Sequence, residues 1–474
     1  MAFQVLLLMV SLYHRPIYFD DAWFAEQAFQ FLKFGEIRTE VFQGLLYYEN
    51  KLHTAHKFHV INGSVFIALF GFSPYAVKAV SIFYTLLLLC FFYVYGRQFR
   101  VFQYSITLLF FLLFYLTQNF VLEYFYAYRP EPIIAALGFG SFYLIEKSLQ
   151  SRNLSYAAIA GFLAGLCAFT HLNGVIFMGA GGLILLFNKE FKLVLIFSFA
   201  SILGLSLYFF DIGSQEELLY AYKQFRNDPA LSEDNFTALH YITKLVDEHK
   251  RLFWDYAEAT MTICLLVALL TSFRFLHDKH KNLLYYTLSL IVLLAVISRN
   301  TSSQYYLLYM PFVAILSVIA FEEVYLQKKA IVRWLVTASL IFYFGMNIYL
   351  NIQMAFAKEY LLPTHQKISA IIPHQTKIMA PLYFVFNEID NYDMQTTEVF
   401  FLLNKKKWQS SSNFFDFCKK HKREYIIIEA RDKDKLLMPW EELIKGDKNY
   451  QYLATIDKYT ILKATFSLQA STNK

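Results

Sequence analysis

Uncharged apolar runs separated by short polar turns fill the first three-quarters of the chain. A membrane-spanning helix needs roughly 20 mostly apolar residues. Runs that suit one cover residues 79–96, 104–122, 132–145, 193–210, 259–273, 283–298, 300–321 and 334–357. Residues 154–188 pass 35 positions without Lys, Arg, Asp or Glu. As one helix they would rise about 52 Å, well beyond the ~30 Å hydrocarbon core. The polar turn His171-Leu172-Asn173-Gly174 in their middle predicts two helices instead. Residues 64–72 suggest a short or interfacial helix, and the uncharged run 1–13 a first span. About eleven spans follow, the mark of an all-α polytopic membrane protein.

After residue 357 the pattern changes. Short apolar stretches at 377–380, 424–429 and 459–464 read as strands, and 414–422 as a helix with Phe414, Phe417 and Cys418 on one face. Charge follows the same division: 25 Lys and Arg and 23 Asp and Glu occupy residues 1–357, against 18 and 14 in the last 117. The chain thus divides into a transmembrane domain, 1–357, and a small soluble α/β domain, 358–474. With 57% hydrophobic and 17% charged residues, several soluble domains are excluded. The four cysteines show no CxxC or zinc-type spacing, so no disulfide framework is indicated.

Basic residues set an orientation. Arg97 and Arg100; Lys147 and Arg152; Lys189 and Lys192; Arg274, Lys279 and Lys281; and Lys328, Lys329 and Arg333 fall in alternate loops, which are taken as cytoplasmic. The intervening short connections hold only Arg129 and Arg299. Residues 14–62, residues 211–258 and the C-terminal domain then share the outer, extracytoplasmic side of a cell or bacterial inner membrane. The net charge of +6 reflects topology signals and the tail rather than a nucleic-acid partner.

The candidate chemistry lies in those outer loops. Asp20 and Asp21 precede Ala22, Ala25, Ala28 and Phe29 at helical spacing, predicting an interfacial amphipathic helix with Asp20 or Asp21 as N-cap. Two adjacent carboxylates are equally suited to acid/base work. His53, His56 and His59 recur every third residue around Lys57; that pattern fits interfacial polar residues, a phosphate contact at Lys57 or a metal site. In Tyr128-Arg129-Pro130-Glu131-Pro132, Pro132 suits the first turn of a helix whose N-terminus favours an anion. An Arg129–Glu131 pair capping that helix is the plainer alternative. Arg299, Gln304 and Tyr305 form a polar and aromatic mouth before Pro311.

In order and spacing these features resemble the polyprenyl-phosphate-sugar-dependent glycosyltransferases of the GT-C fold. More narrowly, they resemble the protein O-mannosyltransferase and lipid A aminoarabinose-transferase superfamily with its RgtA/B/C/D-like branch. The matching elements are Asp20-Asp21-Ala22 through Gly35, Leu69-Phe70-Gly71-Phe72-Ser73 through Gly96-Arg97, Tyr128-Arg129-Pro130-Glu131, Ala160-Gly161 through His171, and Gln304-Tyr305-Tyr306 through Pro311. Asp21 replaces the family's Glu, Lys78 its Arg and His171 its Lys, and the prolines expected beside Lys57 are missing.

The resemblance implies transfer of a sugar from a polyprenyl-phosphate donor to an extracytoplasmic acceptor (protein, lipid A or glycan), with inversion. Asp20 would be the base and Asp21 its support. Lys57, Arg129 and Arg299 would hold the donor phosphate, with His56, His59, Glu131, His171, Gln304 and Tyr305 supporting. Use of a divalent metal stays open. A transporter or a non-catalytic envelope-assembly protein is the alternative class; the scarcity of charge within the spans and the lack of internal repeats weigh against transport.

Overall fold

The structure, a computed structural model, describes residues 17–227, 238–298, 302–357, 361–403, 411–430 and 448–466. The expected first span at 1–13 and Arg299 lie outside them. The membrane part begins with α1 (Phe19–Phe34), α2 (Lys57–Phe70), α3 (Pro74–Gln98), α4 (Ser105–Thr117), α5 (Asn119–Phe125), α6 (Glu131–Ser151), α7 (Leu154–Thr170), α8 (Val175–Phe187) and α9 (Phe191–Ser206). It continues through α10 (Gln215–Asn227), α11 (Ala238–Leu252), α12 (Tyr256–Lys279), α13 (Lys281–Ile297), α14 (Met310–Gln327) and α15 (Ala330–Phe356). Among the described residues five helices are long and apolar enough to cross a membrane, or six if the bent α4–α5 pair is one span. Four shorter apolar helices add to these, against the eleven spans expected.

The turn at His171 breaks the long apolar run as its composition predicts. A 3-10 turn, Leu172–Gly174, separates α7 from α8. Small residues bring α7 against α9: a Cβ on Gly161 would strike the Phe197 carbonyl, and one on Gly165 the Ser201 carbonyl. Close backbone approach of this kind gives lipid-embedded helices dispersion contacts that the hydrophobic effect cannot supply there.

α1 departs from the expectation of an amphipathic helix lying along the membrane. Ala22, Ala25 and Ala28 are buried as the spacing predicts, but so are Asp21, Glu26, Gln27 and Gln30. The helix is packed into the protein on several sides, with Asp21, Glu26 and Gln30 engaged in hydrogen bonds inside it. Its N-cap is Tyr18 rather than an aspartate; the cap comes from the other direction, Asp21 accepting the Tyr18 backbone N–H at 3.1 Å.

The C-terminal unit is a mixed sheet in the order β2-β1-β3-β5-β4. Its strands are β1 (Lys377–Ala380), β2 (Asp393–Thr396), β3 (Tyr425–Glu429), β4 (Tyr450–Ile456) and β5 (Tyr459–Ala464). β1 pairs in parallel with β2 and β3, and β5 runs antiparallel to β3 and β4. Its central strand, β3, is buried throughout, as the unbroken Ile426-Ile427-Ile428 run requires. The unit docks on the loop after α1. Thr396 N–H donates to the Val41 carbonyl at 2.8 Å, and Arg423 donates to Gln43 Oε1 at 2.8 Å and Asp393 Oδ1 at 2.9 Å.

Candidate active site

α1 presents Asp20, Trp23, Phe24 and Gln27 on one face, at i, i+3, i+4 and i+7. All four line a cavity of about 420 Å³. Its other walls come from the loop before α2 (Tyr48, Leu52, His56), Arg129 before α6, His171 and Asn173 between α7 and α8, Tyr208 after α9, and Gln304 and Tyr305 before α14. Sequence positions almost 300 residues apart thus converge on one chamber.

Arg129 organises its charge. Its Nε and NH2 groups grip Glu131 in a two-pronged pair, both at 3.0 Å, while NH1 is ion-paired with Asp20. Burial disfavours the guanidinium charge, but Glu131 more than offsets this, and the Arg129 pKa is raised. Asp20 keeps 32% of its side chain exposed against 1% for Glu131, so Asp20 is the carboxylate within reach of a ligand. Pro130 precedes α6 and Pro132 lies in its first turn, fixing the approach of this segment.

Asp21 faces the other way. Fully buried, it accepts the Tyr128 backbone N–H at 2.6 Å and meets Lys78 Nζ at 3.3 Å. It therefore ties α1 to the Tyr128–Arg129 turn and to α3, outside the cavity lining. Tyr128 extends the same support by donating its hydroxyl to the His59 carbonyl at 3.0 Å.

The histidines do not converge on a common ligand. His56 stacks on His171 with ring centroids 4.4 Å apart, whereas His59 packs on Tyr128 behind the cavity wall. Among the described residues, no group of three or more His, Cys, Asp or Glu is placed to hold a metal ion. His171 Nδ1 accepts the Asn173 backbone N–H at 3.0 Å, so its proton resides on Nε2, 3.3 Å from the Tyr305 hydroxyl. Burial pushes the His56 pKa down to about 4. The His171 pKa is held well below its usual value by burial and then by neighbouring His56 and Arg129. Both rings are thus neutral at pH 7.

Lys57, expected at the phosphate, lies off the cavity. Its fully buried ammonium is ion-paired with Asp211 and donates to the Tyr208 carbonyl at 2.7 Å. Nearby, Lys51 Nζ reaches Glu217 at 2.8 Å, and Gln224 Oε1 accepts the His53 backbone N–H at 2.9 Å. These contacts clamp α10 to the loop before α2. Glu131 and His59 likewise support the chamber from behind rather than lining it. Sequence reasoning did not single out Arg251, which lies 5.8 Å from the Tyr305 ring. It is held by Glu248 at 2.6 Å and by the Ser302 carbonyl at 3.0 Å. Nothing in the charged pattern of α11 distinguishes it.

Thr54, Leu172, Tyr208 and Phe225 also line a second hollow, of about 670 Å³. Its remaining walls are almost wholly apolar, among them Leu205, Phe209, Ile212, Leu218 and Leu219. A polar chamber therefore shares a wall with an apolar groove.

No protein-family model and no curated protein sequence matches the chain. Its fold does match solved structures. ArnT from Cupriavidus metallidurans in the apo state superposes with a TM-score of 0.64 at 11% identity, over 97% of this chain and 96% of that one. The same protein bound to undecaprenyl phosphate gives 0.62 with equal coverage and identity. An oligosaccharyltransferase from Archaeoglobus fulgidus, in complex with Zn and sulfate, gives 0.53 at 12% identity, over 95% of this chain and 71% of that one. The chain has the GT-C fold shared by these glycosyltransferases.

Proposed function

We propose that this GT-C-fold chain is an integral membrane glycosyltransferase. In this reading it moves a sugar from a polyprenyl phosphate to an extracytoplasmic acceptor, with inversion. The observation that carries the proposal is the Asp20–Arg129 chamber beside a groove lined by aliphatic and aromatic side chains. A lipid phosphate needs that combination: an apolar channel for the prenyl tail and a cation at its head. The neighbour ArnT has been solved with undecaprenyl phosphate bound, which fits the same division of labour.

The chemistry follows from the charges. An acceptor hydroxyl attacks the anomeric carbon as the bond from that carbon to the phosphate oxygen breaks. Asp20 takes the hydroxyl proton, and the negative charge that develops on the departing phosphate is met by Arg129. Glu131 holds the Nε–NH2 edge of the guanidinium, which leaves the NH1 group for which Asp20 and a phosphate compete. Donor arrival at Arg129 thus releases the Asp20 carboxylate to act as base. Asp21 positions Asp20 and Arg129 through the Tyr128 backbone, and Lys57 positions the Tyr208 wall through Asp211. Arg299, six residues before Tyr305, is assigned a second phosphate contact. The C-terminal sheet, docked on the loop after α1, belongs to the acceptor side.

The test is sugar transfer by the purified protein in nanodiscs, using polyprenyl-phosphate sugars as donors. Release of polyprenyl phosphate with transfer, abolished in Asp20→Asn and Arg129→Ala, supports the proposal. Full transfer by Asp20→Asn removes the base.

A further inference from the structure

Two buried polar groups on the cavity face of α1 have no hydrogen-bond partner among the described residues: both ends of the Gln27 carboxamide and Trp23 Nε1. Gln27 is only 1% exposed. A buried amide without partners is destabilising, so native proteins pair such groups with protein, water or ligand. Gln27 lies two helical turns from Asp20 on the same face, with Trp23 between them.

We propose that Trp23 and Gln27 form the subsite for the sugar ring of the donor, and that this sugar is uncharged and rich in hydroxyls. The inference rests on the glycosyl-transfer reading and deepens it. A carboxamide both donates and accepts, matching a sugar hydroxyl that does the same. An indole offers a flat apolar face to the C–H side of a ring and one N–H to a hydroxyl at its edge. With the donor phosphate on Arg129, the freed Asp20 carboxylate on the same face of α1 would repel a sugar carboxylate, and nothing beside Gln27 on that face would hold one. The placement also agrees with the chemistry: a ring held here lies along α1 from Asp20, next to the proposed base and phosphate anchor.

Binding in nanodiscs to four probes tests the subsite: undecaprenyl phosphate alone, and the same lipid carrying mannose, glucose or galacturonate. Wild type is expected to bind at least one neutral-sugar lipid about tenfold more tightly than the bare lipid. Gln27→Leu should lose that increment while binding the bare lipid normally, and Trp23→Phe should lose about threefold of it. Because Leu removes an unpartnered buried amide, its thermal midpoint should equal or exceed that of wild type.

An increment retained in both variants overturns the inference, as does one largest for galacturonate. Loss of bare-lipid binding together with a lowered midpoint in Gln27→Leu marks Gln27 as structural and also overturns it. Wild type that binds the bare lipid without any sugar increment sinks the subsite and spares the donor-lipid reading. Failure of wild type to bind the bare lipid overturns both.

Discussion

The Asp21 carboxylate accepts the Tyr128 backbone N–H at 2.6 Å, which makes the helix carrying Asp20 and the turn carrying Arg129 one unit. The same carboxylate faces Lys78 at 3.3 Å, and both are buried. Removing one member of a buried pair strands the other charge at a cost of about 3–5 kcal/mol. Asp21→Ala should therefore lower the unfolding midpoint sharply and abolish transfer together, as thermal unfolding in nanodiscs and an activity assay would show. Unchanged stability would refute the tethering role.

Its neighbour should behave in the opposite manner. Asp20 is partly exposed, and its partner Arg129 keeps Glu131 when Asp20 is neutralised. Asp20→Asn is expected to unfold within a degree or two of wild type while transfer falls by about 10²–10⁴-fold, the range for a lost general base. Measuring both quantities on one preparation separates the two aspartates.

Glu26 gives a pH signature. Buried in α1, it accepts the Glu40 backbone N–H at 2.9 Å and the Gln30 amide at 3.1 Å. Burial pushes its pKa up from 4.5 to about 7, with the hydrogen bonds from Glu40 and Gln30 opposing the shift. The folded state thus binds this proton more tightly than the unfolded one. Its stabilising contribution is complete below the unfolded pKa and is lost as pH rises through the folded one. The stability of wild type relative to Glu26→Gln should fall as pH rises from 4.5 to 7 and level off above. Midpoints of the two proteins across that range, subtracted, check this; a flat difference refutes it.

What was legible in the sequence follows from periodicity and punctuation. The break at His171 and the strands at β1, β3 and β5 announce themselves by polar turns and apolar runs. β2 and β4 do not, because Asp393 opens one and four of the seven β4 residues are exposed, leaving no apolar run to read. The convergence of Asp20 with Arg129 was readable only as two charges in loops of the same orientation. Which aspartate faces the cavity was not, since adjacent helical residues point about 100° apart and packing decides between them. Lys57 misleads for a related reason. A lysine beside histidines suggests an anion site, while its partner Asp211 lies 154 residues away. Gln27 carries no signal at all, because an amide buried against a cavity has no period of its own.

Gly63 shows how tightly the support of the site is packed. A Cβ there would collide with the Tyr128 hydroxyl and ring and crowd Ala28 Cβ at 3.0 Å. Tyr128 is pinned by its hydrogen bond to the His59 carbonyl, so it has little room to yield. Gly63→Ala should destabilise by about 1–3 kcal/mol, as overpacking does. Adding Tyr128→Phe removes the closest atom and should recover part of the loss. Additive midpoints for the two changes would show that the residues do not compete for the same space.

The Lys57–Asp211 pair separates two roles for the lysine. If Lys57 positions the Tyr208 wall through Asp211, as its complete burial and contacts imply, either single replacement leaves a buried charge stranded. Lys57→Met and Asp211→Leu should then each lower stability by about 3 kcal/mol or more, and the double variant should restore most of it, because an apolar pair can replace a buried ion pair at little cost. A refolded double variant that also binds polyprenyl phosphate normally assigns Lys57 to structure and leaves Arg129 as the proposed phosphate anchor. If the double variant is as stable as wild type yet has lost the lipid, Lys57 leaves Asp211 to meet the phosphate, and the positioning role fails.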